Sequence, residues 1–296
     1  SKLPPEQLAR LPAGIPPPGV APNLIDPPTI GYYVLGAGSV LMLIMLVCVA
    51  LRLYMAIRVR GHFAAADWTT VAAVIGTCYY FIVVCFGVQK VGFGTHMYDL
   101  SLLHMKTKET AIISFMSNGP THLIWPCAKS TFFLMYLQLF RPLKWLRYSC
   151  YVGLALNWAF YVSISITQMV ITAPAPGQPW AESFATPSYL RTFKLCVPTA
   201  SFSLVSDVYI MALPMIAISH LQLSTAKKFG VGAMFGTGFI CCCASSLSIY
   251  WQYRIFKNQS DYTYYVIFVF LTYIIEMSVG ISTSCMPSLA RLHKDK

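Results

Sequence analysis

Charge is scarce in this chain. Asp, Glu, Lys and Arg make up 10% of its 296 residues, against about 25% in an average soluble domain. So little polarity cannot cover a surface that faces water on every side, and a soluble globular protein is excluded. Acidic residues are the scarcest, ten against 21 Lys and Arg, which leaves a formal net charge of +11. In a soluble protein that balance would suggest nucleic acid. Here the cations cluster in short loops beside apolar segments, the topology signal of a membrane protein, and no nucleic-acid partner is expected. The ten cysteines form no CxxC pair and have no histidine at zinc spacing. The run Cys241, Cys242, Cys243 points three ways around a helix and reads as packing, so no metal or cofactor site is expected.

Apolar sequence is what remains: 56% of residues are hydrophobic and the mean hydropathy is +0.60. Seven apolar stretches follow one another at roughly 31–51, 68–88, 113–140, 148–171, 195–219, 231–253 and 262–286. Each is long enough to cross a hydrocarbon core of about 30 Å as a helix. The fold predicted is an all-α, seven-transmembrane helix bundle in an integral membrane protein of the plasma membrane or an endomembrane, with membrane lipid around it. Residues 30–292 form the bundle and 293–296 a cytoplasmic tail. Residues 1–29 hold nine of the 19 prolines and read as a polyproline-like or disordered tail. That segment has no apolar core of the signal-peptide kind, so the first span is expected to direct insertion.

The connections set the orientation. Those after the first, third and fifth stretches, with the C-terminus, carry eleven basic residues against Asp67 and Asp295. The other side carries nine basic and six acidic residues. The positive-inside rule puts the N-terminus outside and the C-terminus in the cytoplasm. The connection over residues 89–112 is the longest between stretches and reads as an ordered cap with a short interfacial helix.

Three charges break the apolar runs. Lys129, Asp207 and Glu276 lie near the middles of the third, fifth and seventh stretches. A charge at mid-bilayer costs at least about 2.5 kcal/mol on insertion scales, so such residues face a bundle interior and pair. Counting from the helix ends puts all three at similar depth. Helical spacing places His122, Trp125, Lys129, Phe132 and Tyr136 on one stripe, and Ser203, Asp207 and Pro214 on another. Polar residues recur on the fourth stretch (Asn157, Tyr161, Ser165, Gln168) and the sixth (Ser245, Ser248, Gln252), and Tyr273 shares a face with Glu276. Together they outline a polar and aromatic cavity. The triad reads equally as a register-fixing ion cluster and as a functional centre. Pro120, Pro126, Pro198 and Pro214 kink the third and fifth helices and free carbonyls that then need partners.

Several motifs resemble the fungal rhodopsin-like membrane proteins, a GPCR-like seven-helix family. Lys90, Gly92, Gly94, His96 and Asp99 resemble its K-x-G-x-G-x-H-x-x-D motif after helix two. Lys129-Ser130 through Tyr136-Leu-Gln-Leu-Phe140 resembles its third helix, Asp207 with Leu213-Pro214 its fifth, and Asp261, Glu276, Gly280 and Cys285-Met-Pro287 its seventh. The family's Lys, Asp and Glu positions fall on the triad. Gln138 stands where the family usually has Arg, Met169 where it commonly has Cys, and an Arg expected late in helix six is replaced near Ser248. Cys196 is thereby left without the disulfide partner the resemblance would supply. The seventh stretch contains no lysine, so no retinal Schiff base can form there.

Two functions fit. One is a receptor-like protein that binds a small hydrophobic ligand through Trp125, Tyr136, Tyr161, Gln168 and Tyr273 and engages a cytoplasmic protein partner. The other is a membrane-embedded cyclase or isomerase of secondary metabolism. It would act on a hydrophobic substrate with Asp207 or Glu276 as proton donor and Lys129 and His122 as polarising groups.

Overall fold

A computed structural model describes residues 4–140, 142–183, 186, 189–219 and 225–292. Arg141 and the tail 293–296, both used above for orientation, lie outside the described residues, as do the side chains of Lys227, Lys228 and Arg291. Among the described residues ten α-helices follow in order: α1 Pro5–Arg10, α2 Gly31–Met55, α3 Ala65–Phe86, α4 Leu102–Met105, α5 Lys108–Asn118, α6 Ile124–Leu139, α7 Lys144–Thr172, α8 Thr192–Ser219, α9 Thr225–Lys257 and α10 Tyr262–Leu292. The described residues contain no β-strand, only two isolated bridges.

Among the described residues, five helical segments are long and apolar enough to cross a membrane: Gly31–Arg60, Ala65–Val91, Lys144–Thr172, Tyr189–Ala217 and Gln259–Met286. Their lipid-facing sides are rows of exposed Leu, Ile, Val and aromatic residues, as on α2 and α7. The last is the most enclosed, with 61% of its most apolar window buried against 22% in α7. That difference puts α10 in the middle of the bundle, packed on α9 and α2 and touching α6 and α3. The sixth helix also lies on α3 and α7, and α8 on α9.

The third apolar stretch is not one helix. It breaks between α5 and α6 into a 3₁₀ turn over Pro120–Leu123, leaving α6 only 16 residues long. The cause is Pro120, which has no N–H to offer the carbonyl four residues earlier. That carbonyl, Met116, accepts instead from the Tyr79 hydroxyl at 3.0 Å. Ser117 accepts from the Thr121 hydroxyl at 2.6 Å and Asn118 from the His122 ring. Gly119 accepts from the Ser165 hydroxyl of α7 at 2.9 Å. Pro126 breaks nothing, because it falls in the first turn of α6, where an N–H has no intrahelical acceptor.

One end of the bundle is closed by a cap. The connection after α3 runs through a 3₁₀ turn at Met97–Asp99 and the short α4. Its motif residues have separate jobs. Gly92 ends a π-turn at φ 79°. Gly94, at φ 96°, donates its N–H to Thr263 at 2.9 Å and accepts from Ile30 at 3.0 Å. A Cβ on Gly94 would sit 2.6 Å from the Gly31 nitrogen, so only glycine fits. His96 is sandwiched between Tyr264 at 3.9 Å and Tyr98 at 4.9 Å, with Nδ1 2.7 Å from Asp261. Asp99 accepts from the Asn23 N–H at 2.8 Å. The segment expected to be a disordered tail therefore has partners: Ala13 and Leu11 bond to the backbone of Leu100 and Leu102. Extended proline-rich backbone keeps its carbonyls and some N–H groups unpaired within itself, and a neighbouring loop can take them.

Opposite the cap, Asp67 ties three helices together. Its carboxylate, fully buried, meets Arg52 at 2.9 Å and Arg60 at 2.7 Å. Arg52 also donates to the Ser284 carbonyl of α10 at 2.5 Å.

Candidate functional site

Helix α6 places Lys129 against α8, and α10 closes the other side. The Lys129 ammonium lies 2.7 Å from Asp207 and 3.7 Å from Glu276. It also reaches the Ser206 hydroxyl at 2.6 Å and the Ser203 hydroxyl and carbonyl, each at 3.0 Å. All three charged side chains are at most 10% exposed. The carboxylates are further satisfied by neutral donors. Asp207 accepts from Ser245 of α9 at 2.7 Å; Glu276 accepts from Ser203 at 2.6 Å and the Trp125 indole at 2.9 Å. The triad inferred from charge burial is thus one connected network spanning α6, α8, α9 and α10. Sequence reading missed Ser206 as a partner; its position one residue before Asp207, among other serines, gave no separate signal.

Trp125 sits at the junction of two chambers. Its ring stacks at 5.9 Å from His122 and 6.1 Å from Tyr161, and meets Tyr273 edge-on at 4.7 Å. The central chamber has Trp125, Lys129, Phe132, Tyr136, Asp207 and Glu276 in its wall and a free volume of about 60 Å³. The cap-side chamber, of the same free volume, is lined by Trp125, His122, Gln168 and Tyr273 among others. The residues expected in one cavity are therefore shared between two. Tyr161 lines neither chamber and supports Trp125 from behind.

Tyr136 is at the far end of the stripe, and its hydroxyl is committed. It donates to the Ile210 carbonyl of α8 at 3.2 Å, the carbonyl that Pro214, four residues on, leaves without an N–H partner. What Tyr136 presents to the central chamber is its ring.

His122 is held by its Nδ1 contact with the Asn118 carbonyl. A carbonyl only accepts, so Nδ1 carries the proton, and in the neutral ring Nε2 carries the lone pair. Cys196, also in the cap-side wall, is a free thiol.

These features define an all-helical, multi-pass integral membrane protein built around a buried charge network. The chain belongs to the fungal rhodopsin domain family, matching it over residues 51–295. It is similar to the "SAT4 family membrane protein" of Emericella nidulans, with 29% identity over 171 residues, or 54% of this chain and 40% of that protein. It is also similar to "Fugralins biosynthesis cluster protein 2" of Gibberella zeae, with 24% identity over 293 residues, or 96% of this chain and 71% of that protein. The match to the first relative thus spans well under two thirds of its length. No solved structure matches the chain significantly.

Proposed function

We propose that this protein binds a small hydrophobic molecule between its helices, in a receptor-like and not retinal-based manner. The observation that carries this reading is the cap-side chamber, walled by aromatic and uncharged polar side chains from several helices. Ligand pockets generally have mostly apolar linings with a few placed polar groups. In the same reading all seven apolar stretches cross the membrane with the N-terminus outside. The pair α5–α6 makes the third crossing and α9 the sixth, because both pack among helices that cross and share their medium. A receptor role requires that ligand bind two helix arrangements differently, so engagement of a cytoplasmic partner should change when ligand is added.

Gentle extraction followed by mass spectrometry of co-purifying small molecules tests this reading. A non-lipid molecule at stoichiometric occupancy is the expected result, and lipid alone overturns it.

A second reading, a cyclase or isomerase of secondary metabolism, is favoured by the relative whose name places it in a biosynthesis cluster. The geometry shifts its chemistry. Asp207 accepts at both oxygens, from Lys129 and Ser245, which suits an acceptor, whereas the Lys129, Ser203 and Trp125 contacts of Glu276 all fall on one oxygen, and the other can carry a proton. His122 is a second acid–base candidate, in the cap-side wall. In this reading His122→Phe abolishes turnover while Asp207→Asn acts through stability, and full turnover by His122→Phe counts against it.

A further inference from the structure

The cap-side chamber contains polar atoms that the fold leaves without partners. Tyr80 Oη, Gln168 Oε1, Thr192 Oγ1 and Gln252 Oε1 are buried and make no hydrogen bond among the described residues. The four side chains are at most 3% exposed, and all four line this one chamber. They come from four different helices, α3, α7, α8 and α9, so they are not a local irregularity of one element. The amide nitrogen of Gln252 is placed between the hydroxyls of Ser248 and Tyr273, at 2.7 and 2.8 Å. That leaves its oxygen end over. A buried polar group without a partner costs about 1–3 kcal/mol, and four of the seven such side-chain atoms among the described residues converge on this one chamber.

Charge is missing from the same wall. The chamber lining includes no Asp, Glu, Lys or Arg, so an ionised ligand would lose its water with no opposite charge to meet. Aromatic rings make up much of the rest: Tyr80 meets Phe270 edge-on at 6.0 Å and Tyr273 at a tilt at 6.3 Å, and Phe193 meets Tyr262 at 5.4 Å. Ring edges suit another flat ring.

We propose that the cap-side chamber is a binding site for a neutral aromatic molecule carrying at least two hydroxyl or N–H donors, which the Gln168 and Gln252 carbonyl oxygens accept. This deepens the ligand-binding reading above and rests on it. The amide oxygens select donors on the ligand, the Tyr80 and Thr192 hydroxyls adapt as donor or acceptor, and the lack of wall charge rejects ions. Trp125 forms the floor and separates the ligand from the Lys129 network.

The experiment uses the full chain in lipid nanodiscs with three probes: 2,7-dihydroxynaphthalene, its dimethyl ether, and 2-naphthoate. Equilibrium dialysis against empty nanodiscs corrects for partition into lipid. The diol is expected to bind at least roughly tenfold more tightly than the ether, about the worth of one to two hydrogen bonds, and 2-naphthoate not at all. Tyr80→Phe and Gln168→Met, which nearly conserve volume, are each expected to weaken the diol roughly three- to tenfold without lowering thermal stability. A group kept for structure would show the reverse, lost stability with unchanged binding, and that result overturns the proposal. Equal binding of diol and ether overturns it too, as does tighter binding of 2-naphthoate or no binding above empty nanodiscs. A co-purified molecule that lacks two donors would sink this inference while leaving the broader reading in place.

Discussion

The Tyr136 hydroxyl reaches across from α6 to the Ile210 carbonyl of α8 at 3.2 Å, repairing the gap made by Pro214. Tyr79 does the same for Pro120 through Met116 at 3.0 Å. In an apolar medium a carbonyl without a donor has no water to turn to, so Pro120 and Pro214 are each tied to a tyrosine on another helix.

Tyr136→Phe is expected to destabilise the protein by about 1 kcal/mol, near the middle of measured values for hydrogen bonds within membranes. Pro214→Ala restores an N–H to Ile210, so Tyr136→Phe should cost much less in that background. Thermal unfolding of the four proteins of this double-mutant cycle in one lipid composition measures the coupling. Equal costs in both backgrounds would remove the link.

Breaking the charge network one member at a time should be far worse than neutralising it. Lys129→Met leaves two carboxylates facing each other in the bundle, at an expected cost of about 3–5 kcal/mol. The triple variant Lys129→Met, Asp207→Asn, Glu276→Gln is expected to recover most of that loss. Folded yield by size-exclusion chromatography, alongside unfolding midpoints, reads the difference. A triple variant as unstable as the single one would refute a mainly structural role for the triad.

Asp67 gives a parallel case at the end opposite the cap. Asp67→Asn strands the Arg52 guanidinium, 3% exposed, and should cost about 3 kcal/mol. The double variant with Arg52→Met should be milder. A cysteine cross-linking assay between α2 and α10 would show whether the Ser284 contact loosens with it.

The cap predicts an asymmetry between two glycines of one motif. Both have positive φ, 79° at Gly92 and 96° at Gly94. An added Cβ at Gly92 meets the flexible Leu100 side chain, whereas at Gly94 it meets the Gly31 backbone. Gly94→Ala is therefore expected to open the cap to limited proteolysis near residues 11–13 and 100–102, and Gly92→Ala to do so much less. Equal cleavage of both variants would contradict the packing argument.

Much of the core arrangement was legible because membrane burial makes charge conspicuous. Lys129, Asp207 and Glu276 stood out in apolar runs, and the period of a helix carried Lys129 to Trp125 and His122. What the sequence could not display was pairing between helices. Tyr136 read as a ligand-facing ring because nothing local says that its hydroxyl meets a carbonyl four residues before a distant proline. The third stretch read as one kinked helix for a related reason. Pro120 announces a weakness, but a break becomes affordable only when Tyr79 and Ser165, far along the chain, supply the donors. Gln168 was visible as a polar residue on a helical face; that its oxygen is left over could be seen only once every neighbour was placed.

The two proline–tyrosine pairs also constrain how this sequence can change over generations. A lineage that loses Tyr136 first must pass through a protein with an orphaned Ile210 carbonyl. One that replaces Pro214 first restores the helix bond and frees Tyr136 to drift. The favoured order of substitution is therefore directional, proline before tyrosine, although 78 positions separate Tyr136 from Pro214 in the chain.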